Sequence, residues 1–349
     1  MAYETPNFAA LLPALATDLV VEERPIPVPG PGEVLVRNHV IALNPIDWKR
    51  QSWGFLVPSY PAILGTDHAG TITAVGAGVT TLAAGDRILG FPDGFLTGIA
   101  SHSAFQTYTV VSASLATKLP TSLSFSSAAT LPTAAAYATL ALFGFLGLPL
   151  PTTALPTPPT GRGILVWGAS SSVGALTVQA AAKLAGLTVI ATASPAHHAK
   201  LRGLGAAAVV DYHSADVVGE IVAAAAAAGV EIAYAVDAIS EAATLKPTVE
   251  VLGKFPGEGL RLVHSLPWPA DLAKPEGWSV AQVQGEQAFG ERKELAQWLF
   301  SQNLGKWLEE GAIVPGAHRV VEGGLGGIQS GLNELKAGKV SSEKLVVEV

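Results

Sequence analysis

The chain has no cysteine among its 349 residues. A disulfide framework, a cysteine nucleophile and a thiolate metal site are therefore all excluded. Charge is scarce too: Asp, Glu, Lys and Arg make up 14% against 49% hydrophobic residues. A disordered chain needs the opposite balance. No basic block is present, and 21 Lys and Arg face 28 Asp and Glu for a net charge of −7. Nucleic-acid binding, which draws its affinity from phosphate neutralisation, is not expected. A long uninterrupted apolar run is also missing. Residues 128–150 come nearest, but Pro132 and Pro149 interrupt them, Gly144 and Gly147 thin them, and no Lys or Arg flanks them closely. They read as a buried core helix rather than a membrane span. The start is acidic before its apolar part, unlike a secretory signal. The chain reads as soluble and cytoplasmic.

At roughly 150 residues per domain, this length suggests about two domains. Up to about Pro120 the sequence is strand-rich and punctuated by Gly and Pro, with strands expected at residues 34–40, 70–75, 86–90 and 107–111. From about Ser126 apolar strands alternate with Ala-rich helices. The strands are expected at 164–167, 188–192, 208–210, 232–236 and 260–263, and the helices at 173–184, 197–204 and 217–228. Such alternation predicts an α/β fold with a parallel, doubly wound sheet. The Pro-rich stretch 149–159 reads as a stiff spacer. Strand-like segments at 313–315 and 344–349 are expected to rejoin the first domain.

Residues 163–168 form an apolar strand pattern that leads through Ala169, Ser170, Ser171, Ser172 and Val173 to Gly174 and a helix. This position suits a dinucleotide turn, where backbone N–H groups and a helix N-terminus receive a pyrophosphate. Ala169 and Ser171 occupy the first two glycine positions of G-x-G-x-x-G, and only Gly174 matches outright. After the second strand an NAD-binding chain places Asp or Glu for the ribose 2′-hydroxyl. Here Ala193, Ser194, Pro195, Ala196, His197, His198 and Lys200 follow Thr192, with no carboxylate among them. Hydroxyl, imidazole and ammonium groups suit a 2′-phosphate, so NADP is expected.

Three further segments carry a family resemblance. Ala42-Leu43-Asn44-Pro45-Ile46-Asp47-Trp48-Lys49, then Leu64-Gly65-Thr66-Asp67-His68-Ala69-Gly70-Thr71-Ile72-Thr73-Ala74-Val75-Gly76, then Gly85-Asp86-Arg87 resemble the medium-chain dehydrogenase/reductase superfamily. Within it the chain is most similar to zinc-free quinone-oxidoreductase-like members, and nearest to the fungal trans-acting enoyl reductases of the lovastatin type. The Pro-rich insertion, Ala193-Ser194-Pro195, Asp211-Tyr212 and Ser342-Glu343-Lys344-Leu345-Val346-Val347 match that subgroup. The resemblance implies a GroES-like β-barrel domain, residues 1–125 and 305–349, around a Rossmann NADP-binding domain, residues 126–304.

It also implies roles. Ile46, Asp47, Trp48 and Lys49 form a loop beside the nicotinamide, with Lys49 as the catalytic candidate, a ribose or enolate contact. Ser170, Ser171, Ser172 and Val173 match the pyrophosphate turn. Ser194, Pro195, Ala196, His197 and Tyr212 match the adenosine-phosphate site. Ser265 and Leu266 lie near the carboxamide, and Val340 and Ser341 close the cofactor cleft. Tyr137, Ala138, Thr139, Leu140, Ala141, Leu142, Phe143 and Gly144 line an acyl channel, with residues 278–284 as a second wall. Zinc-dependent relatives place a Cys near Asn44 and a His-Glu pair where this chain has Thr66-Asp67. One carboxylate cannot hold Zn²⁺, and His68 and His102 stand isolated, so no metal is expected. The expected activity is NADPH-dependent reduction of an activated alkene in a small or carrier-bound acyl substrate, with a polyketide synthase as partner. A stand-alone quinone or alkenal reductase and a cofactor-binding accessory protein without turnover are the alternatives.

Overall fold

The computed structural model describes residues 5–151, 160–255 and 259–349, so most of the Pro-rich spacer lies outside the described residues. Packing divides the chain into two units. The first comprises Met1–Thr133, Gln297–Glu309 and Val314–Val349; the second comprises Ala134–Ala296 and Glu310–Ile313. The sequence places these divisions after residues 125 and 304.

The first unit opens with β1 (Asn7–Leu12), β2 (Val20–Arg24), β3 (Glu33–Ala42), β4 (Ala62–Ile63), β5 (Asp67–Val75), β6 (Arg87–Gly90), β7 (Tyr108–Ser112) and β8 (Ala116–Lys118). Strand β3 is its hub, pairing antiparallel with β5 and β7. Val34, Leu35, Val36, Ile41 and Ala42 of β3 are essentially buried, which suits β-branched and apolar residues covered on both faces. One core cluster gathers Leu12, Ile41, Leu43, Leu64, Phe105, Ile328 and Leu345.

The second unit holds β9 (Arg162–Trp167), β10 (Thr188–Thr192), β11 (Ala206–Val210), β12 (Glu231–Asp237), β13 (Arg261–His264) and β14 (Ser279–Gln282). They form a parallel sheet in the order β11-β10-β9-β12-β13-β14. Strand order reverses direction between β9 and β12, which opens a ligand crevice at their carboxyl ends. Ile164, Leu165 and Val166 are fully buried, as continuous apolar runs in a helix-covered parallel sheet must be. Strand β14 has no counterpart in the sequence reading. Its side chains are only partly buried, so it carries no apolar run.

The chain then returns to the first unit as β15 (His318–Val320) and β16 (Lys344–Glu348). Strand β16 lies antiparallel on β3 and parallel beside β15. The strand expected at 313–315 forms instead at His318–Val320, because Pro315 has no N–H to give to a ladder. The helix expected at 173–184 runs as α-helix over Ser172–Gln179 and widens into a π-turn over Ala180–Leu184. One helical segment, Phe125–Phe145, is long and apolar enough to cross a membrane, and 78% of its apolar window is buried inside the protein. That burial is what a core helix requires.

Candidate active site

In the second unit, β9 ends at Trp167 and the chain turns at Gly168, whose φ of 69° favours glycine. The Ser171 side chain caps the following helix by accepting from Gly174 N–H at 3.1 Å. A Cβ on Gly174 would meet Gly168 O and lie 2.7 Å from Ala169 Cα. Only glycine lets the helix approach the strand this closely. Other first-turn N–H groups, of Ser172 and Val173, have no intrahelical partner and give the turn its affinity for an anion.

The ends of β10 and β11 bring two expected residues together. Ser194 Oγ donates to Tyr212 Oη at 3.3 Å, and the Tyr212 ring packs on His213 at 4.0 Å. Tyr212 is 42% exposed. Pro195, Ala196 and His197 make a single 3-10 turn after Ser194. Asp211 stands nearby, but its carboxylate accepts from His213 N–H and lies 2.8 Å from His213 Nδ1. Those hydrogen bonds hold it below the usual carboxylate range.

At the crevice, the ends of β12 and β13 are joined by a network absent from the sequence reading. Asp237 Oδ1 accepts from Ile239 and Ser240 N–H at 3.0 and 2.8 Å. Ser240, at φ 64°, donates from Oγ to Asp237 O at 2.6 Å and accepts from Ser265 N–H at 2.7 Å. Burial pushes the Asp237 carboxyl up despite its hydrogen bonds. Leu266 contributes its carbonyl to His264 Nδ1 at 2.6 Å. A carboxylate ending a buried strand is the one signal in the sequence that points to Asp237.

The segment expected as an acyl wall belongs to the same unit. Ala138, Thr139, Leu140, Ala141, Leu142 and Phe143 are buried, while Tyr137 and Gly144 are partly accessible. Burial and the Glu286 carboxylate push the Tyr137 phenol up to about 12, against a hydrogen bond from Gly285 N–H.

In the first unit, Asn44 stands between β3 and the helix Pro45–Trp53. Asp47, one turn into that helix, accepts from Asn44 N–H at 2.8 Å. Its other oxygen has no partner among the described residues. Burial raises this carboxyl to about 7, outweighing the Asn44 hydrogen bond and the Arg50 and Lys344 charges. Lys49 carries its ammonium 5.7 Å from the ring centre of Trp48 and 5.9 Å from that of Trp53. Ile46 and Trp48 are partly buried, and Val340 packs partly buried on the same core.

Beside Asn44 lies a cluster that the sequence does not assemble. Lys344 Nζ donates to Asn44 Oδ1 at 2.8 Å and to Asp67 Oδ2 at 2.5 Å. Asn44 Nδ2 donates to Thr66 Oγ1 and Asp67 Oδ2, while Thr133 donates from N and Oγ1 to Asp67 Oδ1. Lys344 is 4% exposed and Asp67 fully buried. The sequence marks Lys344 only by its place in a strand-like tail and in the family-like segment Ser342–Val347, neither of which points to Asp67.

Residues 30–121 match the alcohol dehydrogenase GroES-like domain family. Over 344 residues the chain is 38% identical to the trans-enoyl reductase tndF of Aspergillus flavipes, which spans 97% of this chain and 98% of that one. The chain belongs to the medium-chain dehydrogenase/reductase family. It is an oxidoreductase, built from a GroES-like domain and a Rossmann-like parallel-sheet domain. The solved CurK enoyl reductase shares the fold, with a TM-score of 0.77 at 20% identity over 99% of this chain and 98% of that one.

Members of this family imply a nicotinamide dinucleotide, and the glycine-tight turn at Gly168 and Gly174 fits its pyrophosphate. A zinc ion fits less well. One relative, cipB of Emericella nidulans, is named a zinc-binding alcohol dehydrogenase domain-containing protein and is 33% identical over 351 residues, 100% of both chains. In the present chain Asn44 and Thr66, an amide and a hydroxyl, stand where the resemblance would put zinc ligands, and the Lys344 ammonium already occupies the oxygens of Asn44 and Asp67. A second cation there would meet like charge at hydrogen-bond distance.

Proposed function

We propose that the protein is an NADPH-dependent enoyl reductase acting on α,β-unsaturated acyl substrates, in trans, for a polyketide synthase. The observation that carries the reaction class is the Asn44–Asp67–Lys344 cluster. Without thiolate and imidazole ligands, a metal cannot acidify an alcohol at this place. An activated alkene needs no such acidification. The full-length relative named a trans-enoyl reductase supports the acyl substrate and the synthase partner.

When bound, NADPH supplies the hydride. The protein's own part is to bind, orient and stabilise charge. Ser170, Ser171, Ser172 and Val173 receive the pyrophosphate, and Ser194, Pro195, Ala196, His197 and Tyr212 the adenosine phosphate. Ser265, Leu266, Val340 and Ser341 hold the nicotinamide end. Residues 46–49 flank it, with Lys49 donating to the developing enolate oxygen or to the ribose. Tyr137 and the segment through Gly144 serve the acyl chain.

Two substitutions test the roles. Tyr212→Phe removes one hydroxyl, so calorimetry should show NADPH binding weakened by roughly tenfold, the low end for a hydrogen bond to a charged group, with NADH binding unchanged. Equal losses for both cofactors would remove the 2′-phosphate contact. Lys49→Ala should lower kcat and kcat/KM together, by about tenfold, if its contact forms mainly in the transition state. A rise in the cofactor KM alone would assign Lys49 to the ribose. The reaction itself is tested with NADPH and a panel of enoyl thioester, free enone and quinone. Turnover of the quinone alone would favour a stand-alone quinone reductase, and no turnover at all an accessory role.

A further inference from the structure

Three strand ends meet at Lys344. Strand β16 begins with Lys344 and pairs with the end of β3, where Leu43 N–H donates to Leu345 O at 2.9 Å. Strand β5 begins with Asp67, which sits opposite Ala42 in the β3 ladder. Asn44, Thr66, Asp67 and Lys344 are each at most 5% exposed. Among the described residues, none of their side-chain nitrogens or oxygens is buried without a partner. By contrast, Asp47 Oδ1 and the Arg50 Nε and Nη1 groups, on the next turn, are left unpaired. The satisfied cluster thus lies just before the start of the helix that carries Asp47 and Lys49.

We infer that Lys344 is a tethered cation: its ammonium fastens the end of β3 to the start of β5, as a bound metal ion could, and so fixes the 44–49 segment. Lys344 is a positioning residue, acting through Asn44. Its importance for turnover rests on the reading of residues 46–49 given above, but the fastening itself does not. A bound metal couples the segments that carry its ligands, so that binding free energy becomes folding free energy. A buried ammonium with two oxygen partners, one at each strand end, has the same effect, with the cation supplied by the chain. It differs in one respect, since no loss of metal can empty it.

Lys344→Ala leaves a buried carboxylate without its counter-ion and a hole the size of a propylammonium ion. The variant should have a lower Tm. Propylammonium should raise that Tm in the variant and leave the natural protein unmoved, while propanol should raise neither. An unchanged Tm, or equal rescue by propanol, would overturn the tethered cation. Should Lys344→Ala not fold, the double variant Lys344→Met with Asp67→Asn removes both charges, keeps an acceptor for Thr133 N–H and Oγ1, and should fold. In that double variant the helix Pro45–Trp53 should exchange its amide hydrogens faster than in the natural protein, with β9 to β13 unaltered. Its kcat should fall by about tenfold or more, the loss typical when a metal ligand's supporting partner is removed, with KM for NADPH nearly constant. Unchanged exchange in that helix would overturn the positioning role whether or not a substrate has been found. Faster exchange with no turnover of any enoyl substrate by the natural protein would leave the fastening standing and overturn only the reductase reading.

Discussion

Asp47→Asn is expected to make the protein more stable at neutral pH by on the order of 4 kcal/mol, and to change nothing near pH 4. Burial lifts the Asp47 carboxyl from 3.8 to about 7 in the folded chain. A raised carboxyl favours folding fully below its unfolded value, and that contribution is lost as pH rises through the folded value. The folded carboxyl holds its proton roughly a thousandfold more tightly, and about 1.4 kcal/mol per tenfold gives the magnitude. The amide keeps an oxygen for the Asn44 N–H and does not titrate. His68 works in the opposite sense. It is fully buried, bonded through Nδ1 to Asn38 Oδ1 at 2.7 Å, and burial lowers it from 6.5 to about 4. Its contribution is present above the unfolded value and lost as pH falls toward about 4, on the order of 3 kcal/mol. Between roughly pH 4.5 and 6.5 the two slopes nearly cancel in the natural protein. Urea unfolding across that window should therefore show stability rising with pH in Asp47→Asn and falling with pH in His68→Gln, each relative to the natural chain. Curves that stay parallel would show that neither group titrates as its burial requires.

Gly174→Val should weaken dinucleotide binding by roughly a hundredfold, about 3 kcal/mol, equivalent to losing one or two hydrogen bonds to a charged phosphate. The added Cβ meets backbone, Gly168 O and Ala169 Cα, and backbone cannot swing aside as a flexible side chain does. The turn has to open, which carries the first-turn N–H groups away from the phosphate. Overpacking adds about 1–3 kcal/mol of lost stability. Ser171→Ala makes the comparison useful: it deletes the cap, costs about 1 kcal/mol of stability, and leaves the turn its shape. If fluorescence titration finds the two variants binding equally well, close helix–strand approach is not what shapes the site.

Much of this is legible in the sequence because the signals are local. The alternation of apolar strands and Ala-rich helices locates β9 to β13, and Gly174 marks the tight turn. What escapes depends on distance or on weak patterning. Lys344 finds Asp67 across 277 positions, and no period or motif announces such a pair. The π-turns at Leu140–Phe145 and Ala180–Leu184 share the apolar texture of the helices they extend. Ser240 adopts a left-handed φ that its identity does not demand; its hydroxyl bonds to Asp237 and Ser265 hold it there. Lys49 is legible as a residue, yet its seat near two tryptophan rings is not.

The same separation bears on how the chain comes off the ribosome. Strands β3 and β5 emerge early, and Lys344 follows Asp67 only after the whole parallel-sheet unit has been made. At about 5–20 residues per second the delay is roughly 14 to 55 seconds. Throughout it, the Asp67 carboxylate lacks its counter-ion and Val40, Ile41 and Ala42 lack their β16 neighbours. An unpaired strand edge held open that long invites pairing with the wrong strand. The first unit to be synthesised is thus the last to close, and a nascent chain stalled within the Rossmann-like unit leaves the GroES-like domain without the strand that completes it.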